Sequence, residues 1–160
     1  MVAERLAKEH GMTIVPPFDD LAIIAGSGTA GLEVSEDLPN VDLVLVPIGG
    51  GGLLSGVAAA LKLSGNKTKV IGVEPELAGD AHASFKLGEI VEFDLEQTRQ
   101  TMADGMRATR IGGRNFQHLQ AFVDDMVVVT EEEIAKAIQR ITFDARLVVE
   151  PSGAVAAAAW

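Results

Sequence analysis

The chain has 160 residues, 48% of them apolar and 22% charged, a composition that suits a globular fold with a buried aliphatic core. Its formal net charge of −10 speaks against nucleic acid or an anionic membrane surface as a partner. It has no cysteine, hence no disulfide framework and no thiolate metal site, and its first residues lack the apolar core of a signal peptide. No apolar run reaches the roughly 18–20 residues of a membrane span, so a cytoplasmic protein is expected.

In chain order, Val2–Glu9 reads as a helix stopped at Gly11, and Thr13–Val15 as a short strand closed by Pro16 and Pro17. Asp19 or Asp20 can cap a helix from about Leu21 to Leu38. Val41–Pro47 is a continuous β-branched and aliphatic run, as in a strand buried on both faces. Leu53–Leu63 is helical up to Ser64-Gly65-Asn66, and Lys69–Val73 is a second buried strand. A helix over Ala78–Leu87 and a short strand near Ile90–Phe93 follow, then an irregular Gly-rich stretch from Thr98 to Arg114 and a short helix at Phe116–Ala121. Asp125–Val129 is a third strand. Thr130 and Glu133 have the spacing of a capping box for a helix over Ile134–Leu147, and a last helix begins near Gly153. This alternation predicts an α/β fold, a parallel twisted sheet with helices on both faces.

Gly49, Gly50, Gly51 and Gly52 lie between the first buried strand and an apolar helix. Ligands of open parallel sheets bind at the carboxyl ends of strands. Four glycines let the backbone turn its N–H groups inward, and the helix behind them adds free N–H groups and a positive dipole end. Such a loop holds a phosphate without Lys or Arg, which suits an acidic chain. Gly52 is followed by Leu53-Leu54-Ser55 rather than Lys-Ser/Thr, so a Walker loop is excluded. Gly26-Ser27-Gly28-Thr29-Ala30-Gly31 matches G-x-G-x-x-G, but the next strand ends in Pro47-Ile48-Gly49 with no acid for a ribose. The segment reads instead as a helix with small residues for close packing. His10, His82 and His118 are scattered and lack metal spacing.

Val46-Pro47-Ile48-Gly49-Gly50-Gly51-Gly52-Leu53-Leu54-Ser55-Gly56 resembles the tetraglycine loop of the fold-type II pyridoxal-phosphate enzymes, nearest to their threonine/serine dehydratase and serine racemase branch. Pro17–Asp20, Ile24–Thr29, Val73–Pro75, Ala103–Gly105 and Val149–Ala154 resemble family segments in the same order. The resemblance implies the tryptophan synthase β-subunit-like fold, with residues 1–18 ending a smaller domain and 19–160 forming an incomplete cofactor-binding domain. It implies that Gly49–Gly52 and the Leu53 N–H bind the phosphate of pyridoxal 5′-phosphate, that Gly105 lies beside the pyridine ring, and that Glu150 sits near the pocket. Glu74, Ala78 and Asp80 match positions that hold Mg²⁺ or Ca²⁺ in several relatives, where a solvated loop is the plain reading of two carboxylates.

The family's Schiff-base lysine belongs to a Ser-x-Lys-x-Arg-Gly-Ala segment, and no lysine of this chain has that context. No catalytic residue is therefore assigned, and the chain reads as the C-terminal half of an enzyme, inactive alone. The resemblance implies an ammonia-lyase acting on a small amino acid, L-threonine or L-serine, and a homo-oligomer at full length. An amino-acid racemase on the same scaffold and a non-catalytic ligand-binding remnant are the alternatives.

Overall fold

The computed structural model describes residues 2–65 and 67–160, so Met1 and the Asn66 of the expected helix stop lie outside the described residues. Helices α1 (Val2–His10) and α2 (Leu21–Asp37) precede β1 (Leu43–Pro47), α3 (Gly52–Leu63) and β2 (Lys69–Pro75). Then come α4 (Asp80–Leu87), the short α5 (Leu95–Thr98), α6 (Gly113–Phe122), β3 (Asp125–Val129), α7 (Glu131–Arg140) and α8 (Pro151–Ala158). The three strands form one parallel sheet in the order β1-β2-β3, with Val46 opposite Gly72 and Gly72 opposite Met126.

Strand side chains alternate between the two faces, and each face has its own core. Val46, Val70 and Met126 meet Leu54, Ala58 and Leu61 of α3 and Leu119 of α6 on one face. Val73 and Val129 meet Ile134 of α7 and Val155 of α8 on the other. Leu54 and Leu61 are wholly buried, each contributing roughly 1.5–3 kcal/mol. Gly72 makes room for that packing, since a Cβ there would lie 2.2 Å from the Met126 sulfur and 2.6 Å from Leu54 Cδ2.

Gly26–Gly31 lies inside α2, as close packing requires. A Cβ on Gly31 would sit 2.8 Å from the Val57 carbonyl, and one on Gly56 2.4 Å from the Ile24 carbonyl, so α2 and α3 touch backbone to backbone. Asp20 is the cap of α2, accepting the Ala22 N–H at 2.8 Å. Asp19 has φ 60° and turns its carboxylate to the Arg114 N–H in the first turn of α6, at 2.7 Å. The capping box at Thr130 and Glu133 forms in full.

Two expected strands do not form. Residues 12–15 pair with no strand among those described and leave Val15 72% exposed. Near residues 90–93, Val91 N–H donates to Ser84 Oγ and Phe93 N–H to the Thr109 carbonyl, so a helix and a loop take the hydrogen bonds that a sheet neighbour would have taken. The helix expected over Ile134–Leu147 stops at Arg140, and a π-turn over Ile141–Ala145 ends at Arg146 with φ 59°. The last helix begins at Pro151 rather than Gly153, because proline is preset for the first helical position.

Candidate functional site

The four glycines carry the chain from the end of β1 into α3. Ile48 still belongs to the sheet, donating to the Val73 carbonyl at 3.0 Å, and the first bond of α3 runs from Ser55 N–H to the Gly51 carbonyl. Between these points the N–H groups of Gly49, Gly50, Gly51, Gly52 and Leu53 meet no acceptor among the described residues. These five residues line a cavity of about 380 Å³ together with Phe18, Gly105 and Arg107. Five unclaimed donors at a helix N-terminus make a cradle for an anion.

The glycines are needed for different reasons. Gly51 has φ 98°, a region that costs side chains energy. Gly50 lies under the Phe18 ring, where a Cβ would be 2.2 Å from Cδ1. The site is thus closed on one side by the segment that leads into α2. Arg107 is the cation of the cavity wall, with its Nε and Nη2 donating to the Thr101 carbonyl at 3.1 and 2.7 Å.

Gly105 reaches the cavity in the turn Asp104–Met106, where its N–H donates to Ser152 Oγ at 3.0 Å. Glu150 is exposed ahead of α8 and does not line this cavity. Ser152, two residues on, links α8 to the site through Gly105. Glu131 anchors the same stretch by accepting the Met102 N–H at 2.7 Å, besides opening α7.

The acidic pair lies apart from the glycine cavity. Glu74 and Asp80 are wholly buried, as is Ala78 in the turn between them. Glu74 accepts the His82 N–H at 2.8 Å and the Ala81 N–H at 3.3 Å. Both Asp80 carboxylate oxygens are buried without a hydrogen-bond partner among the described residues. Burial, and then the charge of Asp80, push the Glu74 carboxyl well above its ordinary range, against the N–H groups of His82 and Ala81. Burial raises Asp80 from 3.8 to about 7, and the N–H groups of Asp80 and Ile111 oppose it without reaching hydrogen-bond geometry. Two orphaned oxygens beside a second carboxylate fit a hard divalent cation. No three His, Cys, Asp or Glu side chains cluster suitably among the described residues, so such a cation would also need main-chain oxygen or water.

Phe18, Arg107 and Ser152 join the site without a local physical signal in the sequence. Phe18 and Ser152 do lie in family-like segments, but nothing there says that the ring covers Gly50 or that the hydroxyl meets Gly105.

A family model described as pyridoxal-phosphate dependent enzyme matches residues 1–160. An L-threonine ammonia-lyase of Thermotoga maritima is 43% identical over 157 residues, 98% of this chain and 38% of that protein. A catabolic L-threonine dehydratase of Staphylococcus aureus is 40% identical over 156 residues, 98% of this chain and 44% of its own length. Among solved structures, a threonine deaminase from T.th. has a TM-score of 0.89 at 42% identity, with 99% of this chain and 58% of that chain covered. Serine racemase from Dictyostelium discoideum has a TM-score of 0.88 at 36% identity, with 99% and 49% covered. The chain therefore spans about two fifths of the length of these two curated relatives.

Proposed function

The chain belongs to the family of pyridoxal-phosphate dependent enzymes, and from that premise we propose that it is part of a threonine/serine ammonia-lyase. The reactions would be L-threonine to 2-oxobutanoate and ammonia, and L-serine to pyruvate and ammonia. The observation that carries this reading is the row of unclaimed N–H groups from Gly49 to Leu53, lining the cavity of a chain about 40% identical to threonine ammonia-lyases. When bound, pyridoxal 5′-phosphate supplies an electron sink for charge developing at the substrate Cα. The chain's own residues bind and orient. Gly49–Gly52 and Leu53 would take the phosphate, the α3 N-terminus adds its dipole, Phe18 covers Gly50, and Gly105, beside Gly49 in the cavity wall, would flank the ring.

No lysine lines the cavity among the described residues. The amine that the chemistry requires would thus come from outside these 160 residues, with residues 1–18 ending a smaller domain. The test is to mix the folded chain with pyridoxal phosphate and with pyridoxal. Tighter binding of the phosphate ester, with no Schiff-base absorbance band, is expected, and such a band would overturn the assignment of the lysine. At full length, ammonia and 2-oxo acid from L-threonine or L-serine are expected. D-serine as the main product would favour the racemase reading, which the likeness to serine racemase supports.

Glu74 and Asp80, with the Ala78 carbonyl, would hold Mg²⁺ or Ca²⁺, a reading supported by the orphaned Asp80 oxygens. Either cation should raise the unfolding temperature of the chain and lose that effect in Asp80→Asn. An equal rise in the variant would refute the site.

A further inference from the structure

Asn115 is completely buried in the first turn of α6 and stands outside the cavity wall. Its Nδ2 donates to the Gly50 carbonyl at 2.6 Å, and the Gly112 N–H donates to the same oxygen at 3.2 Å. The peptide that follows that carbonyl carries the Gly51 N–H. In a trans peptide the carbonyl and the N–H point in opposite directions, and the described chain has no cis bond. A Gly50 carbonyl held towards α6 therefore turns the Gly51 N–H the other way, towards the cavity that Gly51 lines. Asn115 also backs Gly51 directly, since a Cβ at Gly51 would lie 2.8 Å from the Asn115 Cβ.

We propose that Asn115 is a positioning residue of the phosphate loop, which fixes the Gly50 carbonyl on the outer side and so aims the Gly51 N–H at the ligand phosphate. This rests on the reading of residues 49–53 as a phosphate cradle. The side-chain amide is well chosen for the task. Its Nδ2 must face the carbonyl, which leaves Oδ1 buried and without a partner among the described residues. An orphaned acceptor costs stability, so the residue brings the fold a donor at one point and a penalty at another. Asn115 is itself held from α3, because Ser55 Oγ donates to its main-chain carbonyl at 3.4 Å. Next to it, Arg114 N–H is fixed by Asp19.

Asn115→Asp keeps the shape and loses the donor once its carboxyl is ionised, so it is titrated at about pH 9, above the range to which burial raises a carboxyl. Asn115→Leu, close in size, loses the donor and the orphaned acceptor together, so its fold should hold. The test titrates the full chain calorimetrically with pyridoxal 5′-phosphate, pyridoxal and inorganic phosphate. Wild-type chain should bind the phosphate ester more tightly than pyridoxal. Both variants should lose about tenfold or more in affinity for the ester and for inorganic phosphate, the scale of one hydrogen bond to a charged group, with pyridoxal unchanged. A folded variant that binds the ester as the wild type does overturns the role of Asn115 and leaves the cradle standing. A wild-type chain without preference for the ester overturns the cradle reading, and this inference with it. If neither variant folds, ¹⁵N-glycine spectra of the wild-type chain decide. The Gly51 amide should shift on adding the ester, and a Gly51 amide that stays put while Gly50 and Gly52 move refutes the proposal.

Discussion

Gly26→Ala and Gly31→Ala place the same change in the same helix, and only the first should raise stability. Each gains about 1 kcal/mol of helix propensity over glycine. At Gly26 an added Cβ meets nothing within 4 Å, so the gain should appear in full, as about 2–4 °C in Tm for a chain of this size. At Gly31 the Cβ would lie 2.8 Å from the Val57 carbonyl oxygen and 3.0 Å from Val57 Cα, where ordinary contact begins at 3.4 Å. Both atoms are main chain of α3 and cannot rotate away. The helices must part, at about the 1–3 kcal/mol typical of overpacking, which offsets or exceeds the propensity gain. The two variants should therefore differ by about 1–3 kcal/mol in urea or thermal unfolding followed by circular dichroism. Equal stability would refute backbone contact between α2 and α3 and reopen the reading of Gly26–Gly31 as a ligand loop.

Four other outcomes are expected. In chelator, the stability of the wild type relative to Asp80→Asn should fall as pH rises from about 4 to about 7. The folded carboxyl titrates above the unfolded one, so the fold binds the extra proton and loses by giving it up. The loss is at most about 4 kcal/mol, and urea midpoints at pH 5 and pH 8 that change in parallel would refute it. Thr130→Ala removes the acceptor of the Glu133 N–H and should cost about 1 kcal/mol of unfolding free energy. Ser152→Ala frees the Gly105 N–H and should weaken pyridoxal-phosphate binding by a few-fold with a stability change below about 1 kcal/mol, measured by titration and melting. Gly72→Ala drives a methyl into Met126 and Leu54 and should destabilise by about 1–3 kcal/mol, readable as a lower urea midpoint.

The legible parts of the fold share one property, that their cause is local. Val41–Pro47 announces a strand through its aliphatic run and Thr130–Glu133 a helix start through one side-chain reach. The glycine loop announces itself through backbone freedom between two strong elements. The strand expected at Thr13–Val15 has the right residues and no neighbour to pair with among the described residues, while the backbone of residues 91 and 93 finds partners in Ser84 and Thr109. β-propensity states only that a segment fits a pleated, half-buried surface, and pairing depends on what lies beside it.

By itself the sequence determined the alternating β and α elements, the parallel sheet and the place of the glycine loop, because periodicity and glycine freedom act within a few residues. Only the tertiary structure decided which atoms complete the loop. Asn115 reaches Gly50 across 65 positions, Asp19 reaches Arg114 across 95, and Ser152 reaches Gly105 across 47. It alone decided that Asp20 rather than Asp19 caps α2, that Phe18 covers Gly50, and that Glu150 stays outside the cavity. Such contacts arise where packed helices bring distant segments within hydrogen-bond range, and no spacing along the chain encodes that distance.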